Sequence, residues 1–411
     1  MVGGGAAGIL AALFARREGC PVTLLERTRD GGRKILISGG GRCNILPSRL
    51  QPERFVTQSS PHSLRKILRS WPLEAQTAFF ERELAMPLVV EPETGKLFPE
   101  SHRARHVRDR LIERVREAGV ILRFGVTVTG LRPPRDEREG WGVELEGADP
   151  LPAACVVLAT GGLSVPSTGS DGTGLRIARG LGHSLHPTYP ALTPLTASPP
   201  LHTHLAGVSL AVTIRAPGTR PRFQTSGGFL FTHRGYSGPA VLDASHLATR
   251  TSGSEAAHQD LRVQWTEWDR TAWDRALIDG KGRVVSLLNR RMPARLAAQL
   301  LVEARIPAEL AVAQLDRESR SRLVALLTDY PLPWAGNEGY RKAEVTGGGV
   351  PLSEIDPATM ESRVCRRLFL CGEMLDAFGP IGGHNFLWAW TTGRAAGLGA
   401  AAVLLRGAGT V

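Results

Sequence analysis

The stretch Met1–Arg27, MVGGGAAGILAALFARREGCPVTLLER, decides the fold. Gly3, Gly5 and Gly8 satisfy the spacing G-x-G-x-x-G. A helical segment follows at once, with Ile9, Leu10, Leu13 and Phe14 on one face. Gly19 is placed to end it. PVTLLE then reads as a buried parallel strand closing on Glu26, about 20 residues beyond the glycines. Each glycine has its own mechanical role. Gly3 makes the tight turn, Gly5 lets the backbone approach a pyrophosphate, and Gly8 lets helix pack closely on strand. The positive end of the helix attracts phosphate charge, and Glu26 accepts hydrogen bonds from a ribose without a 2′-phosphate. One part is short. Only Met1 and Val2 precede Gly3, where a central parallel strand usually has about 5–6 residues. The expectation is a native chain that extends a few residues upstream of Met1.

The chain has 411 residues, enough for two or three domains. Hydrophobic residues make up 42% and charged residues 22%, which places it among soluble globular proteins and excludes collagen-like or disordered classes. No run approaches the roughly 18 apolar residues that span a bilayer. The N-terminal apolar stretch lacks the basic leader of a signal peptide. Cys20, Cys43, Cys155, Cys365 and Cys371 form no C-x-x-C pair, so neither a disulfide framework nor a zinc site is expected. A reducing, cytoplasmic location follows. The net charge is +11, and only five of the 50 cations are Lys. A polyanion such as nucleic acid is one partner that such a charge fits. No Arg block is interleaved with aromatics as in a nucleic-acid module. An Arg-rich surface with sites for anionic cofactors is therefore preferred, and nucleic acid is set aside as a partner.

Further along, 60–84 reads as helical, and HVRDRLIERVREAGVILRF as an amphipathic helix (Val107, Leu111, Val115) followed by a strand from about Val120. Residues 133–150 suit a hairpin or loop. AACVVLATGG is a buried strand running into Thr160, Gly161 and Gly162, and a long glycine loop then feeds a helix. From Tyr189 short β-like runs alternate with Pro and Gly, and 284–330 is helical. From Ala343 the α/β texture returns, ending in a glycine turn and a final apolar helix. These boundaries give a first part at 1–188, an inserted β-rich and helical substrate domain at 189–342, and a C-terminal part at 343–411.

Several segments carry a resemblance: GGGAAG, GRKILISGGGRCN, GKLFPES, ATGGLSVPSTGSDGTGLRIARGLGH, YPALTPL, GGFLFTHRGYSGPAVLDAS, VTGGGVPLSEIDPATMES and FLCGEMLDAFGPIGGHNFLWAWTTGRAAG. In order and spacing they resemble the bacterial NAD(P)/FAD-dependent oxidoreductases of the BaiN-like, or aminoacetone oxidase, family. The resemblance implies an α/β, Rossmann-like FAD-binding domain, discontinuous in sequence, with an inserted β-barrel-like domain and a helical portion. It places Gly3, Gly5, Ala6, Ala7 and Gly8 at the FAD pyrophosphate, with Glu26 and Arg27 at the adenosine. Arg33, Lys34 and the loop Ser38, Gly39, Gly40, Gly41, Arg42, Cys43 and Asn44 would lie along the ribityl chain and isoalloxazine. Val128 would meet the adenine through its backbone. Thr160, Gly161 and Gly162 would turn against the cofactor, and Gly372 and Glu373 would lie near the ribityl chain. Gly382, Gly383, His384 and Asn385 would start the last helix, whose positive end faces the flavin pyrimidine edge. Relatives often carry Tyr where this chain has His384.

A flavin supplies redox chemistry, and the protein orientation and electrostatics. The expected reaction is hydride transfer from NAD(P)H through flavin N5 to a small-molecule acceptor such as an activated C=C. The chain has no second G-x-G-x-x-G to hold a nicotinamide nucleotide. The alternatives are an oxygen-using oxidase of amines or similar small donors, and a basic flavin-bearing RNA-binding or RNA-modifying protein. His233 and His384 are the candidate catalytic groups. His233 reads equally as a structural residue ahead of a helix capped by Ser237 with Pro239 in its first turn. Cys43 reads as small-residue packing against the cofactor rather than a redox thiol. Asp171 reads as a loop-stabilising acid, Trp388 and Trp390 as core, and no metal is expected.

Overall fold

Val2 is the hinge of the molecule's parallel sheet. It bridges in parallel to Leu25 on one side and to Leu158 on the other. Beyond Leu25, strand Thr23–Glu26 pairs in parallel with Ile121–Phe124, and beyond Leu158, Val156–Leu158 pairs in parallel with Leu368–Leu370. The sheet thus runs outward from a first strand reduced to one bridging residue. Thr23–Glu26, Val156–Leu158 and Leu368–Leu370 are almost wholly buried, as strands covered on both faces are, whereas Ile121–Phe124 at the edge is partly exposed.

The computed structural model describes residues 1–136, 139–250 and 259–408. Its helices are α1 (Ala6–Arg17), α2 (Arg33–Ile37), α3 (Pro61–Arg69), α4 (Leu73–Ala78), α5 (Ala104–Glu117), α6 (Thr173–Gly180), α7 (Pro239–Thr249), α8 (Arg270–Asp279), α9 (Val284–Asn289), α10 (Ala294–Glu303), α11 (Arg317–Thr328) and α12 (His384–Ala408). The chain divides into two units. One comprises Met1–Pro190 with the segment from Glu344 onward, the other Ala191–Ala343.

In the first unit α1 lies against α12 with backbones nearly touching. A Cβ on Gly393 would sit 2.3 Å from the Ala7 carbonyl oxygen, and one on Gly397 at 2.3 Å from that of Ala11. Only glycine admits this approach. The helical expectation for 60–84 resolves into α3, α4 and a π-helical turn Phe79–Glu83. The hairpin expected at 133–150 is part of an antiparallel meander of Val128–Arg132, Trp141–Leu145 and Ala148–Ala153. Glu137 and Arg138 of that hairpin lie outside the described residues. Trp388 and Trp390 are buried, and their indole nitrogens donate to the carbonyls of Gly372 and Ile45.

The second unit has its own core, built around Phe229, Phe231, Tyr236, Trp265 and Trp273. Seven strands form one sheet whose edges are Tyr330–Pro331 and Gly336–Asn337. The sheet is barrel-like in its curl but not a closed barrel: among the described residues no ladder joins these two edge strands. Yet residues 332–335 alone separate them, so the sheet must curl round to bring its edges together. The cap of α7 also differs from expectation. Ser237 ends a strand, and Gly238, at φ +94°, occupies the cap position before Pro239.

Candidate active site

The site is built from glycine turns where strands hand over to helices. Gly5 caps α1 in extended backbone and, having no side chain, gives the first-turn amides no cap hydrogen bond. A Cβ on Gly5 would meet nothing within 4 Å. On Gly3 it would lie 2.5 Å from the Ala159 carbonyl oxygen, and on Gly8 1.9 Å from that of Gly3. Gly3 and Gly8 are therefore demanded by packing, while Gly5 leaves an open face over uncapped amides at Ala6 and Ala7. Thr160, beside Gly3, has a buried hydroxyl oxygen with no hydrogen-bond partner among the described residues. Uncapped amides at a helix start fit an anionic diphosphate, so the residues present fit a bound FAD.

Glu26 is buried at the end of its strand. Its carboxylate accepts from the Gly4 amide, the Thr28 amide and the Thr28 hydroxyl, each at 2.7 Å. A carboxylate offers about four lone-pair sites, so one remains for a ribose hydroxyl. Arg27 pairs with Asp171, which also accepts from the Thr173 amide at 3.1 Å. Burial pushes the Asp171 pKa up, but the bonds from Thr173 and Arg27 outweigh it and hold the carboxyl below the usual range. Val128 is buried in the meander and lines an open groove of about 450 Å³ with Thr173, Arg176 and Ile177.

Arg33 opens α2 and is engaged by Asp30 at 2.8 Å. Lys34 reaches further. Its ammonium donates to Glu373 at 2.6 Å and to the Ser164 hydroxyl at 2.7 Å. The other Glu373 oxygen accepts from the Ser164 hydroxyl (2.5 Å), the Thr346 amide (3.0 Å) and the Thr346 hydroxyl (2.9 Å). This partly buried network ties together α2, the loop after Gly162, strand Val345–Gly349 and the turn Gly372–Met374. It also explains Gly162, where a Cβ would lie 2.4 Å from the Thr346 hydroxyl. Sequence reasoning singled out Lys34 and Glu373 but missed Ser164 and Thr346. Their only signal was membership of the segments LSVP and VTGGG.

Ser38–Gly41 form a 3-10 turn in which Gly39 and Gly40 adopt left-handed backbone, and Cys43 continues it at φ +61°. Gly40 and Gly41 face open space. Arg42 pairs with Glu91 at 2.9 Å and lies over the Phe98 ring. Cys43 points inward and is fully buried. Burial pushes its thiol pKa up to about 12, despite a bond from Ser38. Asn44 backs this turn, its amide nitrogen 3.0 Å from where a Cβ on Gly39 would stand.

At the other end, Gly372 (φ +79°) donates its amide to the Thr392 hydroxyl. Gly383 is pressed against the Leu46 carbonyl carbon, which a Cβ would approach to 2.5 Å, while Gly382 lies over Lys96. His384, the first residue of α12, is buried against the edge of Phe55, with ring centroids 5.9 Å apart. Burial, with the Arg54 charge adding to it, pushes its pKa down to about 4. Asn385 exchanges two hydrogen bonds with the Gly379 backbone and so holds the preceding turn. His233 belongs to the other unit, exposed in the turn between Phe223–Phe231 and Gly235–Ser237.

One polar cluster was not anticipated. His183 donates or accepts through Nδ1 at Glu354 (2.7 Å) and through Nε2 at the Ser362 hydroxyl (2.8 Å). The order is that of a nucleophile relay. However, the Ser362 oxygen also accepts from the amides of Val364 and Cys365, which makes the cluster a clamp on the chain after α6.

The family described as HI0933-like protein Rossmann domain matches residues 1–399. The chain belongs to the HI0933-like family. Its relatives include the ribosomal RNA dihydrouridine synthase of Escherichia coli (strain K12), 33% identical over 95% of each chain. They also include the 3-dehydro-bile acid delta(4,6)-reductase of Clostridium scindens, 30% identical over 98% of each. Among solved structures, the 3-ketosteroid delta1-dehydrogenase of Sterolibacterium denitrificans aligns at a TM-score of 0.52 and 13% identity, covering 98% of each chain. That last likeness is one of fold. This HI0933-like chain is thus an oxidoreductase-family flavoprotein with a Rossmann-like FAD-binding domain. Among its described residues, no helix is long and apolar enough to cross a membrane.

Proposed function

We propose that this protein is an FAD-dependent reductase that saturates a C=C bond conjugated to a carbonyl, and that its substrate is a uracil ring within RNA. The observation that carries this reading is the pairing of two relatives that each match the chain from end to end. Making dihydrouridine from uridine saturates C5=C6, which is conjugated to the C4 carbonyl. Reducing a delta(4,6) double bond of a 3-dehydro steroid is the same class of reaction. The two names therefore share one chemistry and differ in the size of the substrate. The net charge of +11 favours the polyanionic one and reopens the nucleic-acid partner that motif reasoning set aside.

Bound FAD supplies the hydride at N5, with NAD(P)H as the proposed source of electrons. The uncapped start of α1 would hold the diphosphate, and the free acceptor site of Glu26 the adenosine ribose. Glu373 and Ser164 hold the Lys34 ammonium in place, where it would stand along the ribityl chain. The start of α12 would offer its positive end where charge builds on reduction. Cys43 is buried, with its thiol pKa pushed up to about 12, and the proposal gives it no proton-transfer role. Burial keeps His384 neutral, which suits a hydrogen bond to a carbonyl.

The test is anaerobic mixing of the purified flavoprotein with NADH or NADPH, followed by addition of unmodified ribosomal RNA. Bleaching by one nucleotide, recovery of the flavin band with RNA and dihydrouridine in the product are expected. Absence of flavin bands after reconstitution would sink the whole reading. The second reading, a small cyclic enone as substrate, is favoured by the Clostridium scindens relative. It wins if a 3-oxo steroid dienone reoxidises the flavin and RNA does not. Rapid reoxidation by oxygen, with no response to either acceptor, points to the oxidase.

A further inference from the structure

Helix α3 carries its charge differently from the other Arg-rich helices. Its apolar residues Leu64, Ile67 and Leu68 are buried on one side. His62, Arg65, Lys66 and Arg69 are all exposed, and at spacings of three and four they share the opposite side. The helix contains no acidic residue. In α5, by contrast, Arg110 pairs with Glu113 and Glu117, and Arg114 with Glu117. In α11, Arg322 pairs with Glu318, and Arg320 with Asp274 of α8. Among the described residues, Arg65, Lys66 and Arg69 make no ion pair. Lys66 only feels Asp356 at longer range, and that carboxylate lies 3.9 Å from Arg363.

Folding does not account for this face. Like charges three and four residues apart destabilise a helix. The helix dipole favours Lys66 and Arg69 in the last turn, but no acidic residue stands in the first turn to complement it. The face is also fixed relative to the candidate active site. The segment leading into α3 is bound to buried Asp376 through the Thr57 hydroxyl, the Gln58 amide and the Ser59 hydroxyl, at 2.5–3.0 Å. At its start, Phe55 packs on His384 at the head of α12. A strand lying along α3 would therefore be held by the same segment that packs on the expected flavin edge. From His62 to Arg69 the face extends about 10 Å, at 1.5 Å per residue.

We propose that the α3 face formed by His62, Arg65, Lys66 and Arg69 docks the phosphodiester backbone of the RNA whose uracil is reduced. The inference rests on the RNA reading above and adds where the RNA sits. The experiment uses FAD-loaded protein and fluorescein-labelled oligouridylate, with anisotropy followed across a salt series. The comparison is wild type against the triple variant Arg65→Gln, Lys66→Gln, Arg69→Gln. Each phosphate contact contributes about 0.7 to the slope of log affinity against log salt for a single strand, so the triple variant should lose about 2. Flavin content and thermal midpoint should be unchanged, and the double variant Arg65→Lys, Arg69→Lys should keep the slope. Should the triple variant fail to fold, Arg65→Gln alone should lose about 0.7. Equal slopes in wild type and variant overturn the docking assignment and leave the RNA reading standing. If wild type binds no RNA at low salt, the RNA reading fails and takes this inference with it. Binding to phosphatidylserine vesicles in place of RNA, lost in the triple variant, would assign the face to a membrane and also overturn it.

Discussion

Two glycine-rich loops of the same unit, Gly3–Gly8 and Ser38–Gly41, use the same residue for opposite reasons. In the first, Gly3 and Gly8 are wedged against backbone, with 2.5 Å and 1.9 Å left for a Cβ. In the second, Gly40 and Gly41 have nothing within 4 Å, and their requirement is the left-handed backbone at φ +66° and +84°. Gly8 needs glycine for space alone and Gly3 for space together with backbone at φ +102°, whereas Gly40 and Gly41 need it for direction alone. Space against a carbonyl is absolute, because a rigid main chain cannot move aside. Direction carries a bounded conformational penalty.

The largest effect is therefore expected at Gly8→Ala. It should destabilise the first unit by about 3 kcal/mol or more and abolish FAD retention. Full flavin occupancy in that variant would break the comparison. Next comes Lys34→Met, which removes one donor from Glu373 while the donors from Ser164 and Thr346 remain. The pair is partly exposed, so the loss should be about 1–2 kcal/mol, read from the denaturant midpoint.

A third test extends the comparison to the glycine turn before α12. His384 has a folded pKa near 4, against an ordinary value of 6.5. The unfolded chain therefore binds the proton more readily between those values. Stability should be fully present above pH 6.5 and fall as pH drops toward 4. His384→Phe should flatten that part of the profile of thermal midpoint against pH. An unchanged profile would show that the ring is reached by solvent. The smallest effect belongs to Gly40→Ala, about 1 kcal/mol with FAD retained. A collapse on the scale of Gly8→Ala would mean that this loop, too, is limited by space.

The helix after Gly8, the strand ending at Glu26 and the amphipathic segment around Val107, Leu111 and Val115 were readable because their patterns are local. Each repeats within a few residues and reports which face is buried. The β-rich texture of the insertion was legible, but strand texture tells how many short strands there are and not whether the last ladder closes. The cap of α7 was misread by one residue, because Gly238 at φ +94° serves there in place of a hydroxyl. Ser164 and Thr346 escaped notice because their partner Glu373 is a distant one, 209 residues from Ser164.

From local sequence alone came the βαβ dinucleotide unit and the split of that unit around an insertion. Those conclusions need only near neighbours and residue chemistry. Tertiary structure alone decided that a single Val2 spans two parallel neighbours, that Cys43 is an inert buried thiol, that His384 is held neutral behind Phe55, and that Lys34 meets Glu373 across 339 residues of chain. Burial and long-range ion pairing depend on which distant segments the fold brings together, and no local pattern encodes that. The bare cationic face of α3 belongs to both. Its spacing was present in the sequence, but its lack of ion pairs among the described residues emerged only beside Arg110 and Arg114 of α5 and Arg320 and Arg322 of α11, which have theirs.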